Sequence, residues 1–542
     1  DDNSINEISN LLNNKKIIRD ELIEYIHLIQ DKYGIIYPRH LEALSYIMKI
    51  SFSEVYEVAT FYAHFNVVKD NKIEAPSATI RVCENLTCEM FGSKEIYKNL
   101  KLKNNKSLNI LYGPCMGRCH HAPTVSVGKN YIDQATEKKV LKAINEKFFS
   151  PTIPSYINLK QYISEGGYIT LQKIIKGEIS YNELKDSIEK SNLKGKGGAG
   201  FPTFKKWEFV RANAEPRYLT INADEGEVGT FKDRYYLEKD PHRFIEGVLI
   251  SAQIINAKKI YIYLRDEYPV ALTILSNEIK KLIEKNLIKK EYLVIRRGAG
   301  AYICGEESAM IESIEGKRGL PRHRPPFVAQ LGLFGRPTLV NNVETVYWLR
   351  NIIEKGSSWY ADQGKNGRKG FHSFSVSGRV KNPGVKIAPA GITVQELIDE
   401  YSGGMLDGHK FKAYLPGGAS GGILPSSLNN IPLDYGVKEL DNEGCFLGSA
   451  AIVILSDHDN MKNVGLNLLN FFKEESCGQC TPCRVGTEKT VFEMQKRKWS
   501  KSKLKDLSIV MSDASICGLG QAATNPLNSI LKHFSKELEL NE

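Results

Sequence analysis

The chain has 542 residues, of which 42% are hydrophobic and 25% are charged, as in soluble globular proteins of three to four domains. This composition excludes a fibre and a disordered tail, and no apolar run approaches the about 18 residues of a membrane span. Lys and Arg exceed Asp and Glu by 73 to 63, giving a net charge of +10, but the positive residues are scattered among acids. We therefore expect a lysine-rich surface rather than a nucleic-acid groove.

Residues 1–75 are predicted to be helical, with apolar residues at helical spacing over 17–30 and 42–65 and a breaker at Tyr37-Pro38. A structural role is expected for this bundle. Residues 76–150 are predicted to form a small α/β unit, because alternating strands over 78–82 and 108–111 each precede a pair of cysteines.

Those pairs form the first of two cysteine sets. The sequence has Cys-x4-Cys followed by Cys-x3-Cys, which fits no common zinc finger and suits a [2Fe–2S] cluster in a thioredoxin-like layout. A redox-inert zinc site remains the alternative. The four predicted ligands are Cys83, Cys88, Cys115 and Cys119.

After a linker at 151–154, residues 155–365 are predicted to be a larger α/β block with strands near 218–222, 259–263 and 292–296. The G-x-G-x-x-G match at Gly195, Gly197 and Gly200 follows a helical pattern, so it is not an ordinary Rossmann loop. Its glycines still permit close approach to a phosphate or a flat ring, and Lys194, Lys196 and Lys206 add positive charge.

Two further motifs follow predicted strands of this block. Asn222-Ala223-Asp224-Glu225-Gly226-Glu227 places acids where ribose hydroxyls are commonly bound, although a solvated turn is an alternative. The segment from Gly298 to Glu307 is a glycine-rich, ligand-binding turn, within which Cys304 is expected to be a buried apolar residue.

Residues 368–440 are predicted to be a small β-rich module, and residues from about 457 onward a helical region around the second cysteine set. Three cysteines with two residues between neighbours, plus one remote cysteine, are typical of a [4Fe–4S] cluster, which we favour over zinc. The predicted ligands are Cys477, Cys480, Cys483 and Cys517. Because the two sets use eight of the ten cysteines, any further electron acceptor is expected in another chain.

Five stretches of the sequence, 195–207, 222–234, 299–307, 325–342 and 475–484, closely resemble the flavin-bearing, NADH-oxidising subunit of respiratory complex I. Residues 1–150 resemble the 24-kDa-type [2Fe–2S] subunit, fused here to its partner. The fusion is similar to the diaphorase subunit of NAD-reducing hydrogenases and, less closely, to flavin subunits of NAD-dependent formate dehydrogenases.

The resemblance implies a multidomain α/β fold. Its parts are a helical bundle (1–75), a thioredoxin-like [2Fe–2S] domain (76–150), a Rossmann-like FMN- and NADH-binding domain (155–365), a β-grasp-like, soluble-ligand-binding type of domain (368–440) and a helical [4Fe–4S] domain (441–542).

The resemblance also implies the binding residues. FMN is expected to contact Gly195, Lys206, Asn222, Asp224, Glu225, Tyr302, Gly305, Glu306, Asn341, Asn342 and Thr345. NADH is expected to contact Gly197, Gly198 and Glu227, with its adenine among Phe201, Phe209 and Phe327. Glu307 is expected to meet the adenosine ribose, where a carboxylate disfavours the 2′-phosphate of NADPH. The sequence departs from the family pattern at Phe204, where Gly is usual, and at Val228 and Val328, where Pro is usual.

The function implied is hydride transfer between NAD(H) and FMN, followed by single-electron transfer through the [4Fe–4S] cluster to partner subunits, with the [2Fe–2S] cluster as a secondary electron store. Glu227, Glu306 and Glu307 are the predicted catalytic residues, although the transfer needs no protein acid or base. We expect a cytoplasmic protein, or one on the peripheral arm of a membrane complex, with no membrane span and no nucleic-acid partner. The alternatives are an NAD⁺-reducing subunit of a hydrogenase or formate dehydrogenase and, from a different class, a redox-inactive zinc-stabilised binding module.

Overall fold

The computed structural model describes residues 2–13, 16–103 and 107–541. In these ranges the chain forms four β-sheets, and helices lie before, between and after their strands in the sequence. None of the helices so described combines the length and the apolar character required to cross a lipid bilayer.

The N-terminal region is helical as predicted, but its second predicted segment, 42–65, is divided. Lys49 adopts a left-handed conformation that ends one helix, and the Ser51 hydroxyl accepts a hydrogen bond from the Glu54 amide to begin the next. Pro38 occupies the first helical position, so it starts a helix as well as ending the preceding loop. The helices are α1 (Asp2–Leu11), α2 (Leu22–Tyr33), α3 (Pro38–Met48) and α4 (Phe52–Phe61).

The next unit is a four-stranded mixed sheet with the strand order β2-β1-β3-β4. Strands β1 and β2 are parallel neighbours, so their carboxyl ends meet at one edge, and each end leads into cysteines of the first set. The elements are β1 (Ala78–Cys83), α5 (Leu86–Met90), α6 (Ser93–Leu102), β2 (Leu108–Gly113), β3 (Val125–Val127), β4 (Asn130–Ile132) and α7 (Glu137–Asn145). This arrangement is the predicted thioredoxin-like layout.

The central domain is built on a parallel sheet in the order β7-β6-β5-β8. Because β6 and β8 lie on opposite sides of β5, the chain reverses direction across the sheet there, which opens a crevice at the carboxyl ends of β5 and β8. The fourth strand, β8, was not predicted. The strands are β5 (Arg217–Ala223), β6 (Ala257–Leu264), β7 (Leu293–Arg297) and β8 (Thr338–Asn342).

Helices cover the faces of this sheet and bury its strands. Helix α13 is the largest apolar element, with thirteen of its fifteen residues buried, which suits a helix packed between the sheet and other helices. The helices are α8 (Leu159–Ser164), α9 (Ile169–Ile175), α10 (Tyr181–Ser191), α11 (Thr203–Arg211), α12 (Lys232–Lys239), α13 (Pro241–Ile255), α14 (Pro269–Glu284), α15 (Glu307–Ile314), α16 (Val343–Tyr347), α17 (Leu349–Lys355) and α18 (Ser357–Ala361).

The β-grasp-like domain is a five-stranded sheet in the order β10-β9-β13-β11-β12, with β9 and β13 as a parallel central pair. The predicted module ended at residue 440, whereas β13 lies beyond it and fills the middle of the sheet. The apolar run of β13 is buried throughout, so the module is incomplete without it. The elements are β9 (Phe371–Gly378), β10 (Gly384–Pro389), α19 (Val394–Glu396) with a π-helical turn (Leu397–Tyr401), β11 (Phe411–Leu415), β12 (Leu424–Pro425), α20 (Lys438–Asn442) and β13 (Ala451–Ser456).

The C-terminal region is helical from residue 461, as expected, and a short parallel pair of strands ties its end to the middle. Its helices pack around Leu468, Met494, Leu504 and Leu527, all buried. The elements are α21 (Met461–Glu474), α22 (Thr481–Met494), β14 (Trp499–Ser500), α23 (Lys501–Ala514), α24 (Gly518–Ala522), α25 (Asn525–His533) and β15 (Leu540–Asn541).

Candidate functional site

A cavity of about 640 Å³ lies at the carboxyl ends of β5 and β8, within the size range of cofactor sites. The structure brings many of the predicted FMN and NADH contacts to its wall. Those that line it are Gly197, Gly198, Asn222, Asp224, Glu225, Glu227, Tyr302, Gly305, Glu306 and Asn342. The remaining predicted contacts, Gly195, Phe201, Lys206, Phe209, Glu307, Phe327, Asn341 and Thr345, lie behind or beside this wall.

The glycine-rich loop forms one side of the cavity. The Gly195 amide donates to the Phe201 carbonyl at 2.8 Å, and the Lys196 amide donates to the Thr345 hydroxyl at 2.8 Å, so both ends of the loop are fixed. Gly200 has φ of 63° and faces the Tyr435 ring so closely that a side chain there would collide with it. The loop therefore needs glycine for conformation and for proximity.

Asn222 and Asp224 form the floor at the end of β5. The Asn222 side chain donates to the Gly305 carbonyl at 2.8 Å and accepts from the Asp224 amide at 3.0 Å. Asp224 Oδ2 is buried without a hydrogen-bond partner in the described structure, and burial raises the pKa of this carboxyl well above its usual range. An unpaired polar atom in a cavity wall suits a polar ligand.

Glu225 also borders the cavity, but its carboxylate is already occupied by protein donors. It accepts the amides of Asp233 and Arg234 at 2.8 and 3.1 Å and the Tyr268 hydroxyl at 2.8 Å. Burial raises its pKa to about 7. Glu225 therefore holds the start of α12 at the cavity wall.

Glu227 lies on the side of the cavity that the β-grasp-like domain closes. Its carboxylate accepts the Ser420 amide and hydroxyl at 2.8 and 3.0 Å and also accepts the Tyr302 hydroxyl. The Tyr302 amide in turn donates to Glu475 at 2.9 Å, two residues before Cys477. Burial raises the pKa of Glu227, and this network links three domains at the cavity.

Glu306 and Glu307 lie at the start of α15, and both pair with the Arg324 guanidinium. Glu306 accepts the Ser308 and Ala309 amides at 3.0 and 2.9 Å as the N-cap of the helix, and it also pairs with Arg324. Glu307 pairs with the same guanidinium at 3.0 Å. Lys206 lies close by: burial lowers the pKa of its amine and the Glu307 carboxylate partly offsets this effect.

The three predicted adenine contacts lie on neighbouring exposed segments rather than in the cavity. Phe201 and Phe209 have ring centroids 6.1 Å apart, and both rings are more than a third exposed, as is Phe327. The Asn213 side-chain amide donates to the carbonyls of Phe209 and Ala329 at 2.8 and 3.1 Å, which holds the Phe327 segment beside α11. An open aromatic surface suits a stacked base.

Two other predicted contacts, Asn341 and Thr345, are almost fully buried, and Thr345 supports the loop by accepting the Lys196 amide. Asn341 Nδ2 has no hydrogen-bond partner in the described structure. Of the departures from the family pattern, Val228 and Val328 are buried in the core and Phe204 packs against the core of the central domain. Apolar packing therefore accommodates all three.

Several residues of the site were not predicted. Lys232 Nζ pairs with Asp233 and Glu344, each at 2.9 Å, and Asn342 donates to Asp233 at 2.5 Å. Lys232 and Asp233 belong to the 222–234 stretch, so their charge at the start of a buried helix was an available signal. Other wall residues come from segments distant in the sequence, where no motif predicted a cavity contact: Ser420, Phe446, Gly448, Ser449, Gly518, Leu519, Gln521, Ala522 and Asn525.

The first cysteine set is fully buried beside the central domain. Cys83 ends β1, Cys88 lies in α5, and Cys115 and Cys119 flank the turn after β2, where their sulfur atoms are 3.4 Å apart. This turn is held by the central domain, because Arg234 Nε donates to the Gly117 carbonyl at 2.9 Å. The four cysteines thus meet at one edge of the thioredoxin-like sheet.

The second cysteine set surrounds the start of α22. Cys480 caps this helix, Cys483 lies in its first turn, and Cys517 caps α24. Burial raises the pKa of Cys483 to about 12, and the charges of Cys480, Cys517 and Cys477 add to this effect. The four thiols therefore converge on one region.

The sulfur spacing at both cysteine sets is compatible with iron–sulfur clusters. Since a Zn–S bond is about 2.3 Å, two sulfurs on one zinc ion are at most about 4.6 Å apart. Among the residues that the structure describes, one group of three or more His, Cys, Asp or Glu ligand atoms lies within 4.8 Å, and it contains no cysteine. Among the described residues no three sulfurs of either set lie within 4.8 Å of one another, a spacing that a cluster accommodates because different cysteines bind different irons.

Three family models match successive parts of the chain. They are a thioredoxin-like [2Fe–2S] ferredoxin over residues 8–147, the Nuo51 FMN-binding domain over 188–351 and the NADH-ubiquinone oxidoreductase-F iron–sulfur binding region over 463–541. Together they cover both cysteine sets and most of the cavity residues of the central domain.

Curated relatives match about 71% of the chain. The second NADH-quinone oxidoreductase F subunit of Rhizobium meliloti (strain 1021) is 40% identical over 400 residues, which is 71% of this chain and 94% of the relative. The corresponding F subunit of Aquifex aeolicus (strain VF5) is also 40% identical over 400 residues, covering 71% of this chain and 92% of the relative.

Solved structures match almost the whole chain. A chain of the NAD⁺-reducing [NiFe]-hydrogenase in the air-oxidized state is 28% identical with a TM-score of 0.81, covering 96% of this chain and 94% of that chain. In the H₂-reduced state the TM-score is 0.83 at 28% identity, with 97% and 93% covered.

Proposed function

Because the chain belongs to the family of NADH-quinone oxidoreductase F subunits and carries a thioredoxin-like [2Fe–2S] domain in the same polypeptide, we propose that it is an NADH:acceptor oxidoreductase subunit. It transfers hydride between NAD(H) and FMN and passes single electrons through a [4Fe–4S] cluster to partner subunits. One observation carries this proposal: Gly518, directly after the predicted ligand Cys517, lines the same cavity as Asp224 and Glu227.

The residues present fit the cofactors that the family implies. When bound, FMN accepts two electrons together from NADH and releases them singly, and iron–sulfur clusters take them one at a time. Asp224 offers an unpaired carboxyl oxygen to a polar ligand, and the glycine-rich loop permits close contact with a flat ring or a phosphate. Glu227 is held by Ser420 and Tyr302, so it can orient a dinucleotide at a fixed place in the cavity.

The adenosine end of NADH is proposed to lie outside the cavity, on Phe201, Phe209 and Phe327, with Glu307 at its ribose. This proposal is supported by the exposure of the three rings and by the position of Glu307 at the helix start nearby. Cys83, Cys88, Cys115 and Cys119 are proposed to hold the [2Fe–2S] cluster, as a secondary electron store. Cys477, Cys480, Cys483 and Cys517 are proposed to hold the [4Fe–4S] cluster.

We propose the domain ranges 1–75, 76–150 and 155–365, with the β-grasp-like domain extended from 368 to the end of β13 and the [4Fe–4S] domain after it. The extension follows from the central place of β13 in that sheet.

The second candidate is an NAD⁺-reducing subunit, in which electrons flow in the opposite direction. It is favoured by the extent of the structural match, since the NAD⁺-reducing hydrogenase chain aligns with 96% of this chain and the curated oxidoreductase relatives with 71%. An NAD⁺-reducing subunit can also work with a formate dehydrogenase partner in place of a hydrogenase. In each case we propose a partner subunit with an iron–sulfur acceptor or donor, and a location in the cytoplasm or on the peripheral arm of a membrane complex.

An anaerobic visible spectrum of the purified protein, recorded before and after NADH is added, tests the function. We expect NADH to bleach a flavin and iron–sulfur spectrum in a protein with one FMN and about six irons per chain, from one cluster of each type. A colourless protein that contains zinc and stays FMN-free after reconstitution would instead support a redox-inactive binding module.

A further inference from the structure

We propose that His409, Asp457 and His458 form a binding site for a divalent transition-metal ion, Zn²⁺ in the first place, on the β-grasp-like domain. The site is separate from both cysteine sets and from the residues that line the cofactor cavity. His409 precedes β11, and Asp457 and His458 directly follow β13. Because Phe411 pairs with Ser456 across these antiparallel strands, the two segments meet at one corner of the sheet.

The ligand atoms are already gathered at this corner. One nitrogen of each histidine and one carboxylate oxygen of Asp457 lie within 4.8 Å of one another, and the two imidazole rings have centroids 4.3 Å apart. Zinc bonds to nitrogen and oxygen are about 2.0–2.2 Å long, so ligand atoms on one ion lie within about 4.4 Å. Small rotations of exposed side chains are enough to reach this spacing.

The hydrogen bonds around Ser456 determine which nitrogen of His409 is free. Ser456 has one hydroxyl proton, which it donates to Asp459 at 3.3 Å, and its oxygen also accepts the His458 amide at 3.2 Å. With the Ser456 proton directed to Asp459, the contact of 2.8 Å between Ser456 Oγ and His409 Nδ1 is donated by the histidine. Its Nε2 then carries the lone pair, as in metal sites where the other ring nitrogen is held by a hydrogen bond.

The carboxylate and the turn are held in place as well. Asp457 Oδ1 accepts the Lys410 amide at 2.9 Å and the Asp457 amide donates to the Lys410 carbonyl at 3.0 Å, which leaves Oδ2 for a ligand. Asp459 stabilises the turn, since it accepts the Ser456 amide at 2.8 Å and pairs with Arg379 at 2.7 Å. Ligands on a fixed frame lose little freedom when they bind a metal.

The ligand set identifies the class of ion. Two imidazoles and one carboxylate suit zinc and its transition-metal neighbours, whereas calcium and magnesium require oxygen ligands. Asp457 and His458 are exposed and His409 is half-buried, so water can complete the coordination.

The test is calorimetric titration of the cofactor-loaded, full-length protein with ZnCl₂ at pH 7.5, with iron measured before and after. We expect one zinc ion per chain in the wild type, at least tenfold weaker binding in His409→Ala and His458→Ala, and a smaller loss in Asp457→Asn. The control is His323→Ala, which removes an exposed histidine elsewhere and is expected to bind zinc like the wild type.

Zinc-edge X-ray absorption of the loaded protein provides a second readout that separates this site from the cysteines. We expect nitrogen and oxygen neighbours with two imidazoles and no sulfur. Sulfur neighbours, zinc binding accompanied by loss of iron, unchanged affinity in His409→Ala and His458→Ala, or no zinc binding by the wild type would each overturn the proposal.

Discussion

Arg265 donates from Nη2 to the carbonyl oxygen of Cys115 at 2.6 Å. The same guanidinium donates from Nη1 to the carbonyl of Glu225 in the cavity wall and pairs with Glu267 at 3.0 Å. Arg265 is almost fully buried. One side chain thus joins the wall of the proposed FMN site to the loop of the proposed [2Fe–2S] site.

Arg265→Gln is expected to lower the reduction potential of the [2Fe–2S] cluster, because a nearby positive charge favours the more negative, reduced state. We expect about a tenfold change in the reduction equilibrium, which corresponds to about 59 mV for one electron. Redox titration followed by electron paramagnetic resonance measures it. Arg265→Lys should restore part of the shift, and Arg217→Gln, at the opposite end of β5, should leave the potential unchanged. Equal potentials in all variants would contradict this role.

Glu307→Gln is expected to raise the use of NADPH relative to NADH. The change removes the carboxylate that repels a 2′-phosphate, while Arg324 and Lys206 remain to attract it. We expect the ratio of kcat/KM for NADPH to that for NADH to rise at least tenfold, equivalent to about 1.4 kcal/mol. Steady-state kinetics with both nucleotides measures the ratio. The matched control is Glu312→Gln on the same helix, and an equal rise in both variants would refute the assignment of Glu307.

Cys517→Ser is expected to remove the [4Fe–4S] cluster and leave the [2Fe–2S] cluster, so that iron falls from about six to about two per chain. Iron analysis with electron paramagnetic resonance of the reduced protein distinguishes the two clusters. Cys445→Ser is the control, because Cys445 is a buried, solitary thiol 3.7 Å from the Ser529 hydroxyl. Full retention of iron in Cys517→Ser would show that this cysteine is not a ligand.

The free energy of unfolding is expected to depend on pH because Lys196 is buried. Burial lowers the pKa of its amine to about 8, whereas the unfolded chain keeps about 10.4. Between about pH 8 and 10.4 the unfolded state binds more protons than the folded state, so the free energy of unfolding rises with pH in this range. Below about pH 8 the folded protein carries the full cost of the buried charge. From pH 7.5 to 10.5 the free energy of unfolding of the wild type should rise by about 3 kcal/mol relative to that of Lys196→Met.

Urea unfolding followed by tryptophan fluorescence at a series of pH values measures this difference. Lys205→Met, which removes an exposed lysine of the same segment, should run parallel to the wild type at every pH. A constant difference between the wild type and Lys196→Met would mean that Lys196 keeps an ordinary pKa in the folded protein.

Local patterns were sufficient for the elements that carry their own signal. Strand β5 contains Tyr218, Thr220 and Ile221, residue types that favour strands, between turn segments, and the cysteine spacings predict the cluster sites without any tertiary information. The segment 42–65 was harder, because the break depends on the left-handed conformation of Lys49 and the capping hydroxyl of Ser51. Neither interrupts the apolar spacing.

The parts that were missed depend on long-range packing. Strand β8 is five residues long and gains its place only by pairing with β5. Strand β13 lies next to the helical region in the sequence but inserts between β9 and β11. In the same way Ser420 and Gly518 reach the cavity only after two other domains have docked on the central one, so the cysteine motif beside Gly518 predicts a cluster ligand but not a place in the cavity wall.

The composite wall of the cavity also has a consequence for how the protein is made. The ribosome delivers the thioredoxin-like domain first, with all four cysteines of its set, while Ser420, Phe446 and the segment from Gly518 to Asn525 emerge much later. The proposed flavin pocket is thus completed only after the segment to Asn525 has left the ribosome. Flavin insertion should follow the emergence of that segment, whereas maturation of the [2Fe–2S] domain can begin earlier in translation.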